Sequence, residues 1–205
     1  MVGIVIKLSD DDIAHAKDFG DRMVGVETKL KETIAYTTSL DWHSFNSYFI
    51  GGCAEIAFAH AAGYPPHTLL EKVGSGDRGV DFRFYSERNR CDMTVDVKAR
   101  KNVKAKTLIW AKDKMKEPYL GRMADVLVHS VVDDRFDGQI YVDLRGYCLG
   151  SWFKENCSIS TGLDGMVGGT GFVHQDQLRD IYELVNAIRA RHGMAPLTQY
   201  STSTD

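Results

Sequence analysis

Glu55, Asp81, Asp96 and Lys98 are the residues of this chain whose types and spacing could do chemistry together. Asp96 and Lys98 lie two apart in Val95-Asp96-Val97-Lys98-Ala99, which reads as a strand, so alternation points the two charged groups one way and Val95, Val97 and Ala99 into the core. A second strand, about Val80 to Tyr85, comes just before. Antiparallel pairing around the loop Ser86 to Cys91 then sets Asp81 opposite Asp96. Like charges facing each other across a ladder destabilise it. At roughly 5 Å and an effective dielectric near 20 the repulsion is about 3 kcal/mol, which a purely structural hairpin has no reason to carry and which a divalent cation would remove. Glu55 is the only acid in the helical stretch Phe45 to Ala62, which is otherwise apolar, small or weakly polar. It sits about two turns before the helix stop Gly63-Tyr64-Pro65-Pro66 and is expected to face the hairpin.

The order of these groups, a helix Glu, then Asp at a strand end, then Asp-x-Lys on the next strand, resembles the PD-(D/E)XK phosphodiesterase superfamily, the restriction-endonuclease-like nucleases. Val80-Asp81 stands where the family has Pro-Asp, and Asp96-Val97-Lys98 is its (D/E)-x-K. The missing proline contributes no ligand atom. The resemblance spans roughly Asn46 to Ser151 and implies an α/β fold, an α/β/α sandwich around a small mixed central sheet. It further implies that Asp81, Asp96 and the carbonyl of Val97 hold Mg²⁺, with Mn²⁺ as a substitute, and that Glu55 binds the ion directly or through water. These are hard oxygen donors of the kind Mg²⁺ takes. Phosphodiester hydrolysis needs a nucleophilic water, a Lewis acid and relief of charge on the departing oxygen, and bound Mg²⁺ can supply most of that. Lys98, beside a cation and partly desolvated, is expected to have a lowered pKa and to orient or deprotonate the attacking water, or to steady the phosphorane as a point charge. Each residue also has a plain structural use. The aspartates could be solvated edge charges, Lys98 the ion-pair partner of one of them, and Glu55 a satisfied core carboxylate.

The net charge of −3 does not by itself suggest a nucleic-acid binder, but the distribution does. Lys98, Arg100, Lys101, Lys104 and Lys106 open a basic run that continues to Lys116, opposed only by Asp113, and a second group, Arg78, Arg83, Arg88 and Arg90, comes from the hairpin itself. Phosphate contacts are assigned to Arg78, Arg83, Arg100, Lys101, Lys104 and Lys106, with DNA as the expected partner. Trp110 and Tyr119 could stack on bases, although core packing is the commoner use. A protein that keeps the motif without cutting, as a nucleic-acid-binding or inhibitory module, is the competing reading; an interaction protein with a structural ion is another. A homodimer would suit cutting of both strands, but no interface pattern in the sequence supports one.

With 205 residues, 43% hydrophobic and 26% charged, the chain is expected to form one domain over 1–197 with a flexible tail over 198–205. Cys53, Cys91, Cys148 and Cys157 lack any C-x-x-C spacing and read as reduced, mostly buried thiols. No apolar run is long enough for a signal peptide or a membrane span, so a cytoplasmic protein is expected. Ser9 and Asp12 form a capping box for a helix running to about Thr33, with Phe19, Met23, Val26 and Leu30 as its apolar stripe. Further strands are expected at Val2 to Lys7, Asp125 to Val132 and Gln139 to Leu149, with a turn at Asp133 to Gly138. Residues 150–172 read as loop-rich, and a last helix uses Leu178, Ile181, Val185 and Ile188. Gly74 to Gly79 matches G-x-G-x-x-G but leads into a strand, so it reads as a turn and not as a dinucleotide site. His129, inside an apolar strand, reads as a core or site-rim residue.

Overall fold

The structure, a computed structural model, describes residues 2–34, 42–66, 80–101, 106–110, 115, 122–136, 138–162 and 168–198. Arg78, Lys104, the Gly74 to Gly79 turn and nearly all of the expected tail lie outside these residues.

After β1 (Ile4–Lys7), helix α1 (Asp10–Ile34) opens on the expected capping box. The Asp12 amide donates to Ser9 Oγ at 3.2 Å, and Asp12 Oδ2 accepts from the Ser9 amide at 3.0 Å and from the Ser9 hydroxyl at 2.8 Å. The same buried carboxylate lies 3.1 Å from His60 Nε2 through both oxygens, which ties α1 to α2 (Trp42–Ala62). Replacing Asp12 with Ala should therefore cost more than a cap alone, about 2–3 kcal/mol by chemical denaturation, against about 1 kcal/mol for Ser9→Ala. Equal losses in the two variants would show that the His60 contact contributes nothing.

Helix α2 is apolar on all sides and accordingly central. Ala54, Ala57, Phe58, Ala59 and Ala61 are all buried. Small residues let α1 approach closely: a Cβ on Gly52 would stand 3.3 Å from the Phe19 ring and 3.6 Å from the Ala16 backbone. The helix ends as its sequence requires. Gly63 takes φ +83°, and the amides of Gly63 and Tyr64 both return to the Ala59 carbonyl.

The main sheet has the order β1-β6-β5-β3-β2, built from β2 (Phe82–Ser86), β3 (Cys91–Arg100), β5 (Val126–Phe136) and β6 (Gln139–Leu149) with β1. Only β3 and β5 run parallel; the other neighbours are antiparallel. One face of the sheet, with Val95, Val97, Val128 and Val142, packs on α2 and on α4 (Ile181–Arg191). The other face presents Leu127 and Cys148 to a second cluster. There β4 (Thr107–Trp110) and β8 (Gly171–His174) contribute Leu108, Trp110 and Val173, and α3 (Gly150–Asn156) contributes Phe153. With β7 (Ser158–Ile159) these strands form a small sheet of order β4-β8-β7.

The α/β class and the mixed central sheet are as expected. Among the described residues the second outer layer holds a three-stranded sheet and one short helix, where a helical layer was expected. Its four-residue strands pair across more than sixty residues of sequence, Leu108 with Val173, and no local pattern announces them. Three smaller boundaries also move. β5 continues to Phe136 because Asp133 pairs with Tyr141, which shortens the expected turn. The segment expected as loop holds α3 and β7. Leu178 precedes the last helix, which Asp180 caps by accepting from the Tyr182 amide at 3.0 Å. Among the described residues no helix is long and apolar enough to cross a membrane.

All four thiols are free; Cys53 and Cys148 are buried, Cys157 is half-buried and Cys91 is exposed, so burial is less general than expected. Desolvation pushes Cys53 and Cys148 up to about 12 from 9.0. A folded pKa raised above the unfolded one stabilises fully below about 9, and the contribution is lost as pH rises toward about 12. At neutral pH iodoacetamide should label Cys91 first and leave Cys53 and Cys148 unmodified, read by mass spectrometry of the folded protein. Labelling of Cys53 at the rate of Cys91 would contradict the burial.

Candidate active site

β3 is ten residues long and β2 five, so β3 outruns its partner. The paired residues run from Ser86↔Cys91 to Phe82↔Val95 and end there. At this end stands Asp81, whose amide donates to the Val95 carbonyl at 2.8 Å and whose Oδ2 accepts from the Val97 amide at 2.6 Å. The carboxylate thus takes the place of the next ladder partner. Backbone groups of one strand residue point to the same neighbour, so the Val97 carbonyl is directed to the edge that Asp81 occupies. A carboxylate and a backbone carbonyl therefore share one edge.

Asp96 follows Val95 and is almost fully buried, as is Asp81. The sequence set the two squarely across from each other; instead the Asp81 amide reaches Val95, the residue Phe82 already faces. Each carboxylate has its own partner, Asp81 the Val97 amide and Asp96 the Lys98 ammonium, with Nζ 2.6 Å from Oδ2. These contacts relieve much of the repulsion that direct opposition would carry.

Lys98 and Asp96 lie on the face of Leu127, away from α2, as alternation requires. The ammonium sits 4.6 Å from the centre of the Trp110 ring. Trp110 is core, as its sequence suggested, and it also holds a cation over its face, an arrangement worth about 0.5–2 kcal/mol when partly desolvated. Across the parallel ladder Lys98 faces the fully buried His129. The next residue, Ser130, donates from Oγ to the Lys98 carbonyl at 3.2 Å. The β5–β6 register shifts between His129 and Ser130, a bulge of the kind that re-aims side chains beside sites. Trp110 and Ser130 gave no sequence signal as neighbours of Lys98, because the first belongs to the small sheet and the second depends on the parallel register.

Glu55 is half-buried on α2, the helix packed against the Val95 and Val97 face. Among the described residues no three His, Cys, Asp or Glu side chains gather in a way that would hold a metal ion. The structure thus brings Asp81, Asp96, Val97 and Lys98 together at one end of the β2–β3 ladder. The donors on hand are hard oxygens, the right chemistry for Mg²⁺, although Asp96 Oδ2 is already engaged by Lys98.

Of the expected phosphate contacts, Arg83, Arg100, Lys101 and Lys106 are among the described residues. Arg83 is exposed on β2. Arg100 alternates onto the face of Lys98, half-buried, with its Nη1 buried and without a hydrogen-bond acceptor among the described residues, and desolvation lowers its pKa. Lys101 pairs with Asp134 at 2.6 Å. Lys106 is exposed, and its carbonyl accepts from the Gln175 amide. No family model matches this chain, and neither does any curated protein or solved structure.

Proposed function

We propose that this chain is a Mg²⁺-dependent nuclease of restriction-endonuclease-like type that hydrolyses phosphodiester bonds of DNA, acting in the cytoplasm. The observation that carries the reading is the meeting, at the open end of the β2 ladder, of the Asp81 carboxylate, the Val97 backbone and the Asp96–Lys98 pair. Asp81, Asp96 and the Val97 carbonyl would hold the ion, with Glu55 reaching it through water. Bound there, Mg²⁺ would act as Lewis acid on the scissile phosphate and lower the pKa of its water. Lys98, fixed by Asp96 and Trp110, places a positive charge where the pentavalent phosphorus gathers negative charge, and it can orient the attacking water. Arg100 lies next along the same face to receive a flanking phosphate.

The assay is incubation of supercoiled, linear and single-stranded DNA and of RNA with Mg²⁺ or Mn²⁺. DNA should be cut and EDTA should stop it; no cleavage of any substrate would refute the proposal. A second reading is a silent nucleic-acid-binding protein, favoured by the closed Asp96–Lys98 contact and by the absence of a three-acid cluster among the described residues. It requires binding without cutting in the same assay.

Binding and chemistry should separate by mutation. Charge reversal at Lys101 and Lys106 should weaken DNA binding at low salt and flatten the slope of log affinity against log salt by about one unit per contact removed, while saturating DNA restores turnover. An unchanged slope would remove both lysines from the interface.

A further inference from the structure

A cavity of about 440 Å³ opens between the β2–β3 turn and α4, remote from Lys98 along β3 and on the other face of the main sheet. Its floor is apolar, with Met93, Val126 and Leu184 all buried and Phe84 and Leu149 beside them. Among the described residues its lining carries two cations, Arg88 and Arg179, and one acid, Glu183. Glu183 is engaged, since the Tyr147 hydroxyl donates to its Oε2 at 3.2 Å, and the same phenol is hydrogen-bonded to Arg179. The backbones of Tyr147 and Arg179 also exchange two hydrogen bonds, at 3.1 and 2.7 Å. The Arg179 backbone is therefore fixed to β6 and its side chain is tied to the Tyr147 hydroxyl.

The turn carrying Arg88 is fixed as well. The Asn89 amide donates to Ser86 Oγ, its side chain reaches Met93 Sδ at 2.9 Å, and Arg90 adopts a left-handed φ of +53°, a conformation that costs a non-glycine residue about 1 kcal/mol or more. Arg88 and Arg179 line the same cavity, and a guanidinium presents a planar fork matched to a carboxylate or phosphate. Beneath them lies apolar surface within the size range of small-molecule sites.

We infer that this cavity binds a small amphipathic oxyanion, its phosphate or carboxylate between Arg88 and Arg179 and its apolar body on Met93, Val126 and Leu184. The inference does not depend on the nuclease reading.

Titration by NMR or calorimetry with phenyl phosphate, octanoate and inorganic phosphate tests it. Phenyl phosphate or octanoate should bind saturably and at least tenfold more tightly than inorganic phosphate, and whichever binds identifies the phosphate or the carboxylate class. Arg88→Ala lies in an exposed turn and should weaken binding tenfold or more. Arg179→Ala should do the same, and Arg179→Lys, which keeps the charge, should recover part of it. Lys98→Arg, which keeps the charge beside Asp96, should leave the affinity unchanged, which separates this cavity from the phosphodiester site. The inference is overturned if neither amphipathic anion binds more tightly than inorganic phosphate, if affinity survives both arginine deletions, or if a folded Lys98→Arg protein no longer binds.

Discussion

Asp96→Asn should lower Mg²⁺-dependent DNA cleavage by roughly 10³-fold or more, because an ion that supplies several kcal/mol to the transition state loses a charged ligand. Asp81→Asn should do the same to activity, yet the two variants should differ in stability. The Asp81 carboxylate accepts a hydrogen bond from the Val97 amide, which an asparagine carbonyl can still do, so that variant should unfold within about 0.5 kcal/mol of wild type. Asp96 is almost fully buried and balances Lys98, so Asp96→Asn leaves a mostly buried ammonium facing a neutral amide. A loss of about 1–3 kcal/mol follows, less than for a fully enclosed pair because Lys98 retains 25% exposure. From sequence alone both variants would be neutral or stabilising without metal, since each deletes one of two repelling carboxylates. The observed partners change that expectation for Asp96. Full activity in either variant would refute the site.

Lys98→Ala should cut the single-turnover rate by roughly 10²–10⁴-fold with little change in DNA affinity, since one phosphate contact among many is a small loss. It should also destabilise the protein, because Asp96 is left buried without its cation and the Trp110 face without its ammonium. Lys98→Arg separates these effects. It preserves the charge and much of the fold, so a folded Lys98→Arg protein that cuts slowly identifies the position of the ammonium, and not stability, as the quantity lost. A Lys98→Ala protein that cuts at the wild-type rate would remove the lysine from the chemistry.

What the sequence made legible was local. The Ser9–Asp12 box, the Gly63 stop, the β2–β3 hairpin and the span of β6 follow from cap chemistry, glycine freedom and period-two alternation, all within ten or so residues. The Asp96-x-Lys98 geometry followed for the same reason, because two residues apart on a strand means one face. What stayed hidden depended on distant pairing. The β4–β8 pair that carries Trp110 over Lys98 joins strands separated by the whole of β5, β6 and α3, and each is too short to show a period. The placement of His129 and Ser130 beside Lys98 required the parallel β3–β5 register and a bulge, neither of which a single strand encodes. Glu55 was singled out as a lone acid in an apolar helix, and that pattern gives burial without direction. The direction of its side chain relative to the hairpin is a matter of how α2 packs on the sheet.

The central claim is that a metal held by Asp81 and Asp96 lets this chain hydrolyse DNA, and its most direct test is cleavage of one DNA substrate by wild type and Asp96→Asn purified in parallel, each with Mg²⁺ and with EDTA. Wild type with Mg²⁺ should cut, and the other three reactions should not. Equal cleavage by both proteins, or none by wild type at millimolar Mg²⁺, would contradict the account.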